Sequence, residues 1–380
     1  MIDFLLSSNI LKTFFQQMGQ KLQTPHSGYH WDDITKSYFE GWYFRVTLPE
    51  IAQTFAFMYS IADPIGGQPN SGGAVQILGI DEAYLSRTLP DVQQFWASQT
   101  SLDVRHWSKT RNQQQQGYQV TANSNKGYIC DPSNQKSCRW EYQIQPIYGW
   151  GNPNLPQQAT AGWLSYLPVF DPGWQILMAH GLATGWIEWH GKRYQFTDAP
   201  AYSEKNWGTS FPEKWFWINC NSFVQESNLA LTAIGAVRKV LWWSELVGMI
   251  GIHYQGKFYK FSPTNSQVTW QVKPWREWKM KGIKNDLEVT LIGTANLPGT
   301  YVRTPTAEGL VLNCRDTTQG KLWLRLQDRG QTIVKASSCL AGLEVGGEPW
   351  DEIFRMRIQC QKIARYTLFF YKNNFIRTRG

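Results

Sequence analysis

From about residue 39 to residue 346 the chain reads as short β-forming segments set between Gly, Pro, Asn and Asp, with almost no helical period. Residues 54–60, 73–80, 102–107, 118–122, 138–146 and 174–179 are examples in the first half; 229–235, 249–254, 268–272, 287–292, 321–326 and 337–345 continue the pattern. Many short strands separated by turn residues restrict the fold to an all-β barrel or sandwich. A length of 380 residues allows two cores of ordinary size, and 20 Trp, 17 Tyr and 19 Phe suit pleated surfaces and apolar pockets. An internal echo supports repeated hairpins: Gly191-Lys192-Arg193-Tyr194-Gln195-Phe196 is matched by Gly256-Lys257-Phe258-Tyr259-Lys260-Phe261, each after an aromatic segment, as in a tight turn between two strands. A looser echo pairs Glu40-Gly41-Trp42 with Glu204-Lys205-Asn206-Trp207, each opening an aromatic strand. The expectation is two antiparallel β-barrel domains packed together, residues 25–200 and 201–350.

Outside this pattern lie two ends. Residues 1–24 space Ile2, Leu5, Leu6, Leu11, Phe14, Phe15, Met18 and Leu22 as in an amphipathic helix, suited to capping a barrel or lying on a membrane. Asp3 and the missing basic leader argue against a signal peptide. Residues 351–380 form a basic tail: after Phe354 come Arg355, Arg357, Lys362, Arg365, Lys372, Arg377 and Arg379 and no acidic residue. Most of the formal net charge of +8 sits there, so the body is close to neutral and a stripe for nucleic acid is not expected. A cationic, aromatic-rich tail suits peripheral contact with an anionic membrane surface, or it is simply solvated. The six cysteines, at 130, 138, 220, 314, 339 and 360, lack any CxxC spacing and read as reduced thiols in a cytosol-like compartment. No apolar run approaches the roughly 18 residues of a spanning helix.

Chemistry concentrates in residues 194–221, YQFTDAPAYSEKNWGTSFPEKWFWINCN. Four consecutive residues, Glu204-Lys205-Asn206-Trp207, bring a carboxylate, an ammonium, an amide and an indole to the start of an aromatic strand. That combination suits a barrel mouth, where a few fixed polar groups orient an apolar ligand; equally, Glu204 and Lys205 can pair and Trp207 fill a core. The chain has no GxSxG elbow, P-loop or dinucleotide GxGxxG set, and no His, Cys or carboxylate cluster at zinc spacing, so neither a metal nor a nucleotide cofactor is expected. What remains are carboxylates among aromatic residues: Glu40, Asp63, Asp171, Glu188, Asp198 and Glu204. A carboxyl held among apolar rings stays protonated at neutral pH and can donate. Asp63 and Asp171 precede proline and read as turn residues.

Longer motifs carry a family resemblance. PHSGYHWD (25–32), FEGWYFRVTLPE (39–50), CRWEYQIQPIYGWGN (138–152), TAGWLSYLPVFDPGWQI (160–176), GWIEWHGKRYQFTDAPAYSEKNWGTSFPEKWFWINCNSF (185–223) and HYQGKFYKF (253–261) resemble the tocopherol cyclase family, and the resemblance spans about residues 25–350. It implies two lipocalin-like barrels. No plastid transit peptide precedes PHSGYH, which implies a bacterial, cyanobacterium-type member, cytoplasmic and peripheral to a thylakoid membrane; the tail after Trp350 does not resemble the family's ending.

The resemblance also implies a reaction: cofactor-free closure of a methyl- or dimethyl-phytyl benzoquinol to a chromanol. An acid protonates the trisubstituted alkene, the phenol oxygen attacks the cation, and the phenol proton leaves. Such a site needs a neutral carboxylic acid, aromatic faces beside the cation, and exclusion of water. The expected acid is Asp198 or Glu204, with Lys205 and Asn206 anchoring the quinol oxygens; Glu40 with Tyr43 is the second choice. Trp42, Trp207, Trp174 and Trp215 are the expected cation-facing wall. A non-catalytic isoprenoid carrier and an isoprenoid hydratase are the rival readings, since lipocalin-like barrels often only bind.

Overall fold

A computed structural model describes residues 24–350, apart from 36, 110–114, 154, 167–170, 241–242, 307–308 and 348–349, together with 354–356. The expected N-terminal helix and most of the basic tail lie outside the described residues. Two curled antiparallel sheets, each a half-barrel, account for nearly all of the rest. The first contains β1 (Phe39–Leu48), β2 (Gln53–Ala62), β3 (Gly72–Leu78), β4 (Tyr84–Leu89), β5 (Phe95–Ala97), β6 (Asp103–Lys109), β7 (Gln115–Thr121), β8 (Ser124–Cys130), β9 (Ser137–Tyr148), β10 (Gly173–Trp189) and β11 (Lys192–Gly208). Their order is β4-β3-β2-β1-β11-β10-β9-β8-β7-β6-β5, so the last strand of the unit closes onto the first.

The second sheet contains β12 (Lys214–Cys220), β13 (Ala230–Val240), β14 (Trp243–Tyr254), β15 (Lys257–Phe261), β16 (Gln267–Lys273), β17 (Glu277–Lys284), β18 (Leu287–Thr294), β19 (Thr300–Thr306), β20 (Gly309–Asp328), β21 (Gln331–Gly346) and β22 (Phe354–Met356). It runs β15-β14-β13-β12-β21-β20-β18-β17-β16-β22, with β19 paired to β20 outside that path. The division drawn at residue 200 falls inside β11; the change of sheet comes between Gly208 and Lys214. Both Gly-Lys echoes are hairpins. His190-Gly191 (φ 51° and 82°) joins β10 to β11, and Gln255-Gly256 (φ 47° and 73°) joins β14 to β15. Two successive positive φ values are what a two-residue type I′ loop requires, and glycine takes the second at no steric cost.

Side-chain alternation sorts the aromatic residues into three layers. From β1, Trp42, Phe44 and Val46 enter the first core with Phe55, Phe57 and Tyr59 of β2. From β12, Phe216, Ile218 and Cys220 enter the second core with Trp270 and Trp278. The other faces of these strands meet between the sheets: Tyr43 packs with Trp215 and with Tyr202, Trp174 and Trp217. Arg45, 1% exposed, crosses this layer. Its guanidinium donates to the Asn219 backbone oxygen (3.0 Å), to Asn219 Oδ1 (3.1 Å), to the Thr318 oxygen (3.4 Å) and to the Leu340 oxygen, tying β1 to β12, β20 and β21. Glu82 makes a second stitch, with Oε1 accepting from the Thr317 hydroxyl and from the backbone N–H of Thr318 (2.8 Å).

Removing a buried charged donor leaves its acceptors dry and unpartnered, which costs on the order of 3 kcal/mol. Arg45→Met is therefore expected to lower the urea midpoint clearly; an unchanged midpoint would show that the sheets are held without this clamp.

Candidate active site

Period-two alternation divides the 204–207 tetrad between two faces of one strand. In the β1/β11 register Glu40 lies opposite Trp207 and Trp42 opposite Lys205, whereas Gly41 lies opposite Asn206 and Tyr43 opposite Glu204. Trp42 belongs to the first core and Tyr43 to the intersheet layer. Lys205 and Trp207 therefore share the inner face of the first sheet with Glu40, and Glu204 and Asn206 share the intersheet face with Tyr43. On β10, Trp174 pairs with Asn206 and Ile176 with Glu204, adding an indole to the intersheet side.

On the inner face, Glu40 and Lys205, both with fully buried side chains, form an ion pair. Glu40 Oε2 also accepts from the Tyr38 hydroxyl and from the His30 backbone N–H (2.9 Å). Lys205 Nζ donates to the Gly28 carbonyl (2.7 Å) and lies 3.2 Å from His30 Nδ1. Burial pushes the Glu40 carboxyl up, but the Lys205 ammonium and the contact with His30 outweigh it and hold the pKa at about 2. Burial and the same ammonium take His30 down to about 4, and burial with the His30 neighbour takes His26 to about 2, so both imidazoles are neutral near pH 7. Trp207 stacks on His30 at 4.0 Å, and the Lys205 ammonium lies 5.3 Å from the Trp207 ring and 5.7 Å from the Trp42 ring. His26 Nε2 lies 2.8 Å from Ser165 Oγ. Every charge here is compensated, so Glu40 is an ionised carboxylate with no proton to give and Lys205 is committed to it. The network secures the PHSGYH segment to β1 and β11.

The intersheet face has a different electrostatic character. Glu204 is buried, and among the described residues no cation pairs with it. Its Oε2 accepts from the Tyr202 hydroxyl (2.6 Å), Trp174 Nε1 (3.0 Å) and Trp217 Nε1 (3.2 Å). Burial raises its carboxyl to about 7, with the three donors opposing the rise. Near neutrality this group is poised between acid and carboxylate. Tyr43 lies with its ring 5.4 Å from that of Trp217 and 6.3 Å from that of Tyr202, and its buried hydroxyl oxygen has no hydrogen-bond partner among the described residues. Trp215 lies on the same layer and donates through Nε1 to Glu344 Oε1 (2.5 Å).

Of the residues singled out in the sequence, Glu204, Tyr43, Trp174, Trp215 and Asn206 lie on the intersheet side, Asn206 half-buried. Glu40, Trp42, Lys205 and Trp207 lie on the other side of the same two strands. Asp198 joins neither group: it is exposed, at a bulge of β11 with φ 53°, and its backbone N–H donates to Thr184 Oγ1 (3.1 Å). Its side chain is open to solvent rather than held among the rings. Tyr202 and Trp217 were overlooked. Tyr202 was legible, since two residues before Glu204 on a strand means the same face.

Residues 36–347 match the family described as Tocopherol cyclase-like. The chain belongs to that family. Among its relatives, the probable tocopherol cyclase, chloroplastic, of Oryza sativa subsp. japonica is 42% identical over 87% of this chain and 79% of its own length. The tocopherol cyclase, chloroplastic, of Zea mays is 41% identical over the same shares. Among solved structures, the crystal structure of CghA with Sch210972 has a similar fold, with a TM-score of 0.52 at 12% identity, covering 87% of this chain and 97% of that one. The motif-bearing strands β1, β10, β11 and β12 all fall inside the tocopherol cyclase-like match.

For this tocopherol cyclase-like chain, the two carboxyls bear on stability with opposite signs. Glu204 has a folded pKa above its ordinary 4.5, so the folded state holds the extra proton and stability falls as pH rises from about 4.5 to about 7. Glu40 has a depressed pKa, and its contribution is lost as pH falls from about 4.5 toward 2. Relative to wild type, Glu204→Gln is expected to gain on the order of 3 kcal/mol between pH 4.5 and pH 7. Urea midpoints of both proteins at pH 5 and pH 8 check this; a constant difference would mean that Glu204 titrates normally.

Proposed function

We propose that this chain is a tocopherol cyclase that closes a methyl- or dimethyl-phytyl benzoquinol to its chromanol by proton transfer from Glu204. The observation that carries the reading is the carboxyl of Glu204, buried between the sheets without a cation and held near neutrality by that burial. The family and its named relatives support the activity, and the geometry supports the choice of acid.

In this mechanism the Glu204 proton goes to the CH carbon of the prenyl double bond, leaving positive charge on the more substituted carbon. Tyr202, Trp174 and Trp217 already point O–H and N–H groups at Oε2, so the carboxylate formed is received by donors that need not reorganise. The rings of Trp174, Trp217 and Tyr43 pack in the same cluster beside Glu204 and stabilise the cation. The phenol oxygen then forms the C–O bond and loses its proton, so the sum is an isomerisation with no net redox change. Asn206, half-buried on the Glu204 side, suits a quinol oxygen; Lys205, Trp42 and Trp207 hold the inner network instead. A dry aromatic layer keeps water from capturing the cation, which would divert the reaction to a tertiary alcohol.

A phytyl chain is lipid-soluble, so the reading carries with it a place at the edge of a membrane. Among the described residues no helix is long and apolar enough to cross one.

Purified protein incubated with a phytyl benzoquinol and no added cofactor is expected to yield chromanol. Glu204→Gln should lower kcat by about 10²–10⁴-fold, whereas Asp198→Asn should stay within about twofold, as expected for an exposed side chain. Wild-type kcat should decline as pH rises through about 7, where Glu204 loses its proton. Quinol returned unchanged by the wild type would mean a carrier, tertiary alcohol a hydratase, and full activity in Glu204→Gln a different acid.

A further inference from the structure

Cyclisation needs a group that takes a proton as well as one that gives it, and Glu204 accounts for the giving. The intersheet layer contains a second set of ionisable groups. Asp316 of β20 and Glu344 of β21 are directly opposed in the strand register, and Glu344 is also opposite Trp217, whose indole N–H donates to Glu204. The two carboxyls therefore share the face that β12, β20 and β21 turn toward the first sheet. Glu344 Oε1 accepts from Trp215 Nε1 (2.5 Å), but Asp316 Oδ1, on a residue 1% exposed, has no hydrogen-bond partner among the described residues. The Tyr43 hydroxyl, equally dry, has none either, and the charged groups that act on it are Asp316, Arg45, Glu344 and Glu204.

A purely structural role does not account for this arrangement. Glu82, a buried carboxylate in the same layer, shows how the fold satisfies one that only holds strands together: a single oxygen receives the Thr317 hydroxyl and the Thr318 and Gln319 backbone N–H groups. Asp316 is buried and Glu344 half-buried, and two opposed carboxyls here disfavour ionising together, so the pair favours holding a proton. Burial raises both groups. Glu82 adds to the rise at Asp316 against the pull of Arg45 and the Thr317 backbone N–H, and Asp316 adds to it at Glu344 against the Trp215 hydrogen bond. A pair that holds one proton carries a single negative charge and becomes neutral on taking a second.

We propose that the Asp316/Glu344 pair is the second proton site of this reaction, taking the proton that the quinol hydroxyl gives up on ring closure and returning it to Glu204 before the next turnover. The assignment rests on the cyclase reading above. The balance is complete: Glu204 loses a proton to the alkene carbon, the phenol O–H bond breaks as the C–O bond forms, the pair gains that proton, and its return to Glu204 restores both groups.

The test is turnover of a methyl-phytyl benzoquinol in D₂O by wild type, Asp316→Asn, Glu344→Gln and Glu204→Gln, each checked for an unchanged or raised urea midpoint. Wild-type chromanol should carry one deuterium on the carbon next to the new ether carbon. In Asp316→Asn and Glu344→Gln, chromanol formation should fall by about 10²-fold or more. The recovered quinol, or its alkene isomer, should still gather deuterium in the prenyl chain, because Glu204 protonates the alkene and its carboxylate takes a proton back. Glu204→Gln should show neither product nor label. Closure within threefold of wild type in both pair variants would overturn the assignment, as would loss of closure and label together, the mark of a structural role. A wild-type protein that forms no chromanol overturns the cyclase reading itself, a separate result.

Discussion

The alternation of side chains along β11 is the constraint on which the site depends. Glu204 and Lys205 are neighbours in the chain yet lie on opposite faces of one strand, in two environments that share no charge. On the inner face an ammonium meets Glu40, and that carboxyl is held near 2; on the intersheet face a carboxyl of comparable burial meets only neutral donors and sits near 7. The desolvation cost is similar in the two cases, so a compensating cation makes the difference. Had the strand slipped by one residue, Glu204 would face the first core and Lys205 the intersheet layer.

The layer between the sheets is dry because it is built from large rings. Trp215, Trp217 and Tyr202 are almost wholly buried there, with Trp174 and Tyr43 packed against them. In such a medium every polar group must be paired or remain costly. Arg45 and Glu82 are paired, and they tie the sheets together. Glu204, Asp316, Glu344 and the Tyr43 hydroxyl are left either neutralised by protonation or incompletely partnered. A fold selected for stability alone would do better with hydrocarbon at these positions. Groups that must exchange protons with a substrate, by contrast, are more useful when they are not committed to a fixed counter-charge.

Much of this was legible in the chain. The strand-and-turn rhythm gave the all-β class, the two Gly-Lys echoes gave two hairpins with the backbone geometry they require, and the motifs between 25 and 350 gave the family. Glu204 was among the residues marked as an acid. Tyr202 was missed although the period of two places it beside Glu204, and Glu40 and Lys205 were treated as possible participants in catalysis because nothing local indicates that they find each other. Asp316 and Glu344 gave no signal at all: they sit in unremarkable strand segments, and only the pairing of β20 and β21 with β12 brings them to the layer that Glu204 faces, more than a hundred residues away in sequence.

What the amino-acid sequence determined by itself was a kind of material: strands, turns, rings and a handful of carboxyls, in the order that a known family uses. It could not determine which carboxyl stays protonated. That depends on how much water and which charges surround the group, and both are set by elements that the chain brings together only when the two sheets pack. The tertiary structure therefore decided the environments, pairing Glu40 with Lys205, leaving Asp198 to solvent, and keeping Glu204 dry beside the indoles of Trp174 and Trp217.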